Sequence, residues 1–565
     1  DEDDAVDAPT WYRDADIDGH GDPGNTTAAC ERPYGYTADA TDCDDARNDV
    51  HPGVPENCLT AEDEDCDDAD VDGIGCVDWY ADLDGDGHAG DPSSVCACSA
   101  HDVYTSTTAT DCDDEDPLAY AGAPEIWGDG IDQSCGNDGD AADLLTEAVP
   151  LYGVAAGDQA GYSLAADGDP DGDGLQGLVV GAPGAESRGG AVYVFATPPT
   201  ASASLGGADL VLVGSTAGDL VGTSIDTGDI DGDGVADIAV GSTVIGPAGG
   251  ATVVYGGRTG VHDLATSDLA YLPAEGYAAG HAVAFVGDLD GDGADNLVLG
   301  DPTASAEGKP EAGVVHVFGA PSGESPVTEE GIRLTGSSTF GDAGYALLGP
   351  GDLDGDGLDD LVVSDPRWSG AGPLNAGAVY VLHGPVTDGD LDTTADVRIE
   401  GSHAYAYIGI ALARAGDADG DGAPDVLVAA SGTGGGVYLV TAPAAGSLVD
   451  GARAWLSLSS ATSVAGGGDL DADGAGDFVV GQPTGASYSR AGHAYVLYGP
   501  AAGTVDLDDT AISLSGGRYS YAGAAVRIVG DTDGDGHDDV LVGAWGDPTR
   551  GSQAGVAWFL SGGSL

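Results

Sequence analysis

The sequence predicts an all-β chain, a seven-bladed β-propeller preceded by a small, irregular, cysteine-rich domain. Three observations carry this. A loop of the pattern D-x-D-x-D-G recurs seven times, starting at Asp169, Asp229, Asp288, Asp352, Asp417, Asp469 and Asp531. The spacings of 60, 59, 64, 65, 52 and 62 residues match one blade with long loops better than any helical repeat. All nine cysteines fall at or before Cys135, and the 430 residues that follow have none, which is how a small stapled module sits beside a domain large enough to need no staple.

Composition narrows the class. Apolar residues make up 42% of the chain, enough for a core, but 98 acidic residues face 15 basic ones, with Lys309 the single lysine. A formal charge of -83 excludes nucleic acid and anionic membrane as simple electrostatic partners and points to cations. No run of 18 apolar residues is present, so no membrane span is expected. The chain starts at Asp1 and has no Met, which fits removal of a signal peptide or a sequence that simply omits its start.

In chain order, the first 140 residues form two modules, 1–76 and 77–140. WYRDADIDGHGD from Trp11 recurs as WYADLDGDGHAGD from Trp79, and ATDCDDARND around Cys43 recurs as ATDCDDEDP around Cys112. PGVPEN with Glu56 recurs as AGAPEI with Glu125, and Trp127 takes the place of Cys58. With 40 acidic and three basic residues, this segment cannot fold without counter-ions or cross-links, and both are expected. The expected bridges are Cys30 with Cys43, Cys98 with Cys112 and Cys58 with Cys66. Cys76, Cys96 and Cys135 then compete for one more, and an odd total leaves one thiol free or paired outside the chain.

The propeller is expected over 144–565. Each blade reads as strand, acidic loop, strand, Gly-rich loop, strand and outer strand. The last repeat lacks its outer strand, and residues 146–153 are expected to supply it, closing blade seven and removing the exposed edges. In the loop, carboxylates at positions 1, 3 and 5 converge, Gly at position 6 permits the turn, and position 7 offers its carbonyl. The ligand candidates are Asp169, Asp171 and Asp173; Asp229, Asp231, Asp233 and Asp237; Asp288, Asp290, Asp292 and Asn296; and Asp352, Asp354, Asp356 and Asp360. The later loops offer Asp417, Asp419, Asp421 and Asp425; Asp469, Asp471, Asp473 and Asp477; and Asp531, Asp533, Asp535 and Asp539. The last of each set stands at position 9, where the first loop has Gly177, so that site is expected to be the weakest unless water or Asp167 makes up the loss. Two of the 28 positions lack a carboxylate, leaving 26. Such hard oxygen cages suit calcium, about seven ions in the propeller with several more in the amino-terminal modules.

These repeats resemble the FG-GAP repeats of the seven-bladed propeller in integrin alpha chains. The first half of that motif is written AGYSLA, VGTSID, AGHAVA, AGYALL and AGAAVR before five of the loops, and the second half as VVGAPGAESRGGAVYVF or VVGQPTGASYSRAGHAYVL. The resemblance implies a calcium-bearing recognition propeller. The amino-terminal duplicate resembles a metal-binding repeat of secreted myxobacterial proteins and the calcium-wrapped type 3 repeats of thrombospondin. This likeness implies Asp14, Asp16 and Asp18, and in the copy Asp82, Asp84 and Asp86, as ligand sets. Further ligands are Asp42, Asp44, Asp45 and Glu56, and Asp111, Asp113, Asp114 and Glu125. Some members of that group are associated with copper, but a position-7 residue such as His20 or His88 offers its carbonyl, so copper is disfavoured here.

The function expected is a secreted or cell-surface bacterial protein whose rim loops meet an extracellular protein or polysaccharide. Arg367, Trp368 and Trp545 are the candidate contacts. A calcium-dependent surface spacer is one rival. An enzyme acting on polysaccharide is another, but no HExxH or GxSxG motif is present and the acidic pairs are accounted for by the loops. Oligomeric state stays open.

Overall fold

The computed structural model describes residues 8–57, 63–67, 73–74, 76–90, 94–97, 99–100, 103–112, 117, 120–121, 135, 141–143, 148–166, 168–172, 174–242, 249–271, 278–319, 331–370, 373–441, 446–447, 452–458, 460–484 and 490–565. It divides into two compact units, Asp1–Asp140 and Ala141–Leu565.

In the first unit the duplication is visible as two three-stranded sheets of the same order. Thr10–Arg13 is flanked by Asp22–Ala28 and Tyr36–Thr37, and Val77–Ala81 by Ser94–Ala97 and Tyr104–Ser106. Few apolar side chains are buried here, Val50 and Ala89 among them. Cross-links take over much of the work of a core.

The bridges differ from those expected. Cys43 pairs with Cys66 and Cys112 with Cys135, each closing 23 residues, while Cys30 is free and exposed. The expected Cys30–Cys43, Cys58–Cys66 and Cys98–Cys112 bonds are thereby excluded. Cys76 is also disulfide-bonded. The nearest cysteine in sequence is the wrong partner because Cys30 lies beyond the hairpin end at Ala28, whereas Cys66 comes back onto the DCDD turn, where its sulfur also faces the Cys43 amide at 3.2 Å. Cys58, Cys98 and Trp127 lie outside the described residues, and the side chain of Cys96 is likewise not described.

The second unit comprises seven antiparallel sheets among the described residues. Blade one is Ser163–Ala165, Leu178–Ala182, Ala191–Phe195 and Leu210–Val213 in that order. Each later blade repeats it, to Ala525–Val529, Asp539–Ala544 and Val556–Leu560 in the last. The fourth strand of that last sheet is Val149–Tyr152, antiparallel to Val556–Leu560 with Leu151 opposite Ala557. Six of the sheets also gain a short parallel fifth strand, such as Gly260–Asp263 on Leu210–Val213.

The two middle strands of a blade are buried along their whole length, as in Leu178–Ala182 and Ala378–Leu382, except in blade six, where His493 and Leu497 at the ends of the third strand are half-buried. Both faces of such a sheet meet other sheets, so the strands read as unbroken apolar runs and not as alternation. One cluster joins Leu541 and Phe559 of the last blade to Leu178 and Tyr193 of the first. The glycine of the AG motif is required by approach and by backbone alike: Gly222 sits at φ +85°, and a Cβ on its neighbour Gly181 would come within 2.4 Å of the Gly222 carbonyl.

Candidate metal centres

Each acidic loop joins the innermost strand of a blade to the second. In the second loop Asp229 Oδ1 accepts from the Gly232 and Asp233 amides at 2.8 and 3.1 Å, and its Oδ2 from Gly234 at 2.8 Å. Asp231 Oδ1 takes the Asp233 amide at 3.2 Å and Asp233 Oδ1 the Val235 amide at 2.8 Å. The same set recurs around Asp288, Asp352, Asp417 and Asp531. The turn is thus wound by its own carboxylates, and positions 3 and 5 spend one oxygen each on the backbone.

Position 9 does something the sequence did not disclose. Asp237, Asp360, Asp425, Asp477 and Asp539 are buried, and each accepts the amide of loop position 2, from Ile230 at 3.0 Å in the second loop to Leu470 at 2.6 Å in the sixth. Four of them offer the other oxygen to an amide just past the third strand: Gly256, Gly384, Gly499 and Gly562. Burial pushes the Asp237 carboxyl up to about 7 and those of Asp425 and Asp477 up to about 6, against the pull of these amides where they are present. A buried carboxylate so raised is held ionised most readily by a cation in the loop.

The two departures at position 9 have local reasons. Asn296 takes the Leu289 amide on Oδ1 at 2.8 Å and donates Nδ2 to the Phe318 carbonyl at 3.3 Å, so an acceptor faces it where four of the other blades present a donor. In the first loop position 2 is Pro170, which has no N–H to give. A Cβ on Gly177 would meet the Pro170 ring at 2.7 Å. The missing side chain and the proline are one exchange. Asp173 and Asp167 lie outside the described residues; Asp169 and Asp171 are at the loop, with Asp169 accepting from Gly172 and Gly174 at 2.6 Å each.

The sixth loop carries Ala472 where every other has Gly, at φ 59°. There Asp469 Oδ1 is buried without a hydrogen bond. Neighbouring loops are also tied to one another. Position 8 of one loop reaches position 1 of the loop before it: Asp295 Oδ2 accepts the Asp229 amide at 2.8 Å, Asp359 that of Asp288 at 2.8 Å and Asp538 that of Asp469 at 2.9 Å. Gln176 Oε1 accepts the Gly530 amide, between the first loop and the last, at 2.7 Å. A second acidic residue before position 9 was the available signal for these links.

In the first module Asp14, Asp16 and Asp18 present oxygens within 4.8 Å of one another, as do Asp16, Asp42 and Asp45. Asp14 Oδ1, Asp16 Oδ2, Asp18 Oδ2 and Asp42 Oδ2 are buried with no hydrogen-bond partner. Burial and mutual repulsion raise the carboxyls of Asp16 and Asp42. Buried acceptors left bare at one point are what a bound cation satisfies, so these residues fit a metal. Asp45 also takes the Ala15 amide and Asp44 the Ala46 amide at 3.4 Å. Asp82, Asp84 and Asp86 form the matching cluster in the second module, and Asp63, Asp65 and Asp67 a further one that sequence reading missed in the run EDEDCDD. Asp111 pairs through its backbone with Ala89. Asp113, Asp114 and Glu125 lie outside the described residues, and the Glu56 side chain is likewise not described. His20 and His88 turn Nδ1 to Thr41 and Thr110 hydroxyls at 3.0 and 2.9 Å and stack on His51 and Tyr120.

The predicted contact residues divide. Trp368 is 2% exposed, its Nε1 donates to Ser337 Oγ at 3.3 Å and Arg398 covers its face at 5.0 Å, so it anchors its loop and does not meet solvent. Arg367 is exposed and pairs with Asp342 at 3.1 Å. Trp545 is half-buried and stacked on Tyr521 at 4.5 Å. Large aromatics that face solvent are Tyr34 in the first unit and Tyr162 in the second, at 94 and 40% exposure, and a set of three, Phe340, Tyr405 and Tyr519, at 53, 48 and 46%. The set of three occupies the loops entering blades four, five and seven, at the ends of the inner strands away from the acidic loops. All three hold left-handed backbone, φ 60°, 62° and 66°, where the loops entering blades one and two have Gly157 and Gly218.

Comparison with known proteins agrees with this geometry. Residues 343–382 match the model of the FG-GAP repeat, and residues 42–72 and 111–141 match a metal-binding motif of the copper-binding MopE type. The chain carries both repeat types. It is 36% identical to integrin alpha-PS2 of Drosophila melanogaster over 172 residues, 29% of this chain and 12% of that one. Over 109 residues it is 38% identical to human integrin alpha-IIb, 19% of this chain and 10% of the other, and it is 29% identical to integrin alpha pat-2 of Caenorhabditis elegans over 239 residues, 40% and 19%. The chain thus spans between a tenth and a fifth of the length of these relatives. A crystal structure of BBS1N in complex with ARL6DN aligns with 74% of this chain and 98% of its own at a TM-score of 0.40 and 11% identity. Among the described residues no helix is long and apolar enough to cross a membrane.

Proposed function

We propose that this FG-GAP, integrin-like chain is an extracellular calcium-binding recognition protein, with about seven ions in the propeller and several in the amino-terminal modules. The candidate ligands are those of the acidic loops and of the Asp14 and Asp82 clusters. The observation that carries the recognition reading is the solvent-facing set Phe340, Tyr405 and Tyr519 on left-handed backbone. Such residues cost on the order of 1–3 kcal/mol each where Gly would cost nothing, and strain of this kind is kept where a side chain has a task. Calcium at the opposite strand ends supports presentation, since the ion, and not the ligand, bears the cost of ordering the loops. Strand Val149–Tyr152 and the Gln176–Gly530 bond support a closed ring.

Exposed aromatics suit the apolar faces of sugar rings, so the partner proposed is a polysaccharide, with an extracellular protein as the alternative outcome of the test. No reaction is proposed, because the acidic groups are engaged in winding the loops. The test is binding of labelled protein to purified polysaccharides and envelope preparations, in millimolar calcium and with chelator. Saturable binding that chelation abolishes is expected. Replacing Phe340, Tyr405 and Tyr519 together by Gly, the residue of blades one and two, should abolish binding while Tm holds or rises. Unchanged binding by that variant would refute the aromatic surface.

A further inference from the structure

Beside the departures already described within the loops, the blades differ at the residue that follows the third strand. That residue is Ala196, Tyr255, Gly319, His383, Thr441, Tyr498 and Ser561 in turn, so an imidazole occurs in blade four alone. His383 is held over its loop by two backbone bonds: its own amide donates to Asp396 Oδ2 at 2.9 Å and the next amide, Gly384, to Asp360 Oδ1 at 3.1 Å. Its Nδ1 then lies 3.2 Å from Asp360 Oδ2 and 3.7 Å from Asp354 Oδ2. Asp354, Asp360 and His383 offer ligand atoms within 4.8 Å of one another. Nδ1 is buried and makes no well-formed hydrogen bond, and Asp360 has no exposed surface. In blade seven the same place holds Ser561, whose hydroxyl donates to Asp535 Oδ2 at 2.7 Å, so the residue after the third strand reaches the loop there too.

We propose that the blade-four loop is a mixed nitrogen and oxygen site that takes a divalent transition ion of the zinc class in preference to calcium. This goes beyond the calcium reading above and shares only its loop frame. Calcium asks for six to eight oxygens, whereas an imidazole nitrogen beside two carboxylates is the donor set of zinc and its neighbours. Asp354 supplies the position-3 carboxylate, Asp360 the position-9 carboxylate and His383 the nitrogen; the metal displaces a proton from the imidazole where one is bound. An imidazolium paired with Asp360 would give the same distances with no metal, and binding separates the two.

The experiment uses the full chain, stripped with chelator, returned to millimolar calcium and titrated with zinc, with both metals counted by elemental analysis. His383→Ser, the residue of blade seven, and His383→Tyr, that of blades two and six, are run in parallel so that one misfolded variant does not decide the result. The wild type should hold one zinc per chain more than either variant, and zinc at that site should weaken by at least about tenfold on substitution. Zinc retention equal in wild type and both folded variants overturns the proposal, whatever the amino-terminal modules bind. Calcium bound by the other loops without His383-dependent zinc would sink this inference alone; His383-dependent zinc without calcium anywhere would sink the calcium reading and leave this one standing.

Discussion

The two units answer the same problem, an excess of carboxylates, in opposite ways. In Asp1–Asp140 the acidic oxygens of Asp14, Asp16, Asp18 and Asp42 are buried bare, and the chain around them is held by Cys43–Cys66 and Cys112–Cys135 with little core. In Ala141–Leu565 each acidic loop is wound by its own amides and seated on strands buried on both faces. On the reading proposed above, the first unit would depend on ions and bridges to fold, and the second on ions chiefly to complete loops that its core already positions.

The largest effect expected from that contrast comes from combining chelation with reduction. The first unit should then lose its protection from proteolysis completely while the propeller keeps its β spectrum; loss of both together would break the contrast. Cys43→Ser alone should cost the first unit about 2–5 kcal/mol and leave the propeller transition in place.

Next in size is a reversal of pH dependence. Without metal, the Asp237, Asp425 and Asp477 carboxyls stand at about 7, 6 and 6 when folded, above the ordinary value of 3.8. The folded state then binds more protons, so their contribution is fully present below pH 4 and is lost as pH rises through 6 to 7. Metal-free propeller should melt lower at pH 7.5 than at pH 5. Calcium should remove that slope, and a metal-free melt that rises with pH over this window would contradict the burial argument.

Two substitutions test single loops. Asn296→Asp should destabilise blade three by about 1–3 kcal/mol, because a carboxylate would face the Phe318 carbonyl, and denaturant unfolding would read it. Ala472→Gly should raise stability by about 1 kcal/mol by releasing left-handed backbone in the sixth loop.

Much of the fold was legible because it repeats. Seven copies of one loop announce seven sheets, and the unbroken apolar run LVVGA announces a strand covered on both faces. The duplication in the first unit likewise announces two matching three-stranded sheets. It also held the correct bridges, since Cys43 and Cys66 stand as far apart as Cys112 and Cys135, whereas the expected partner of Cys43 was Cys30. Trp368 misled for a related reason: a tryptophan among small residues in a rim loop reads the same whether it faces out or folds under, and Ser337 and Arg398 decide.

The sequence by itself determined the loops, their converging carboxylates and the number of blades, because spacing along one segment fixes which carboxylates a tight turn brings together. Only the tertiary structure decided what lies across from them. Pro170 against Gly177, the Phe318 carbonyl against Asn296, Asp295 against the next loop back and His383 over Asp360 join segments 7 to 66 residues apart in the chain. Such neighbours are set by strand register and blade packing; a local pattern marks at most one side of the contact, as the acidic residue at position 8 does.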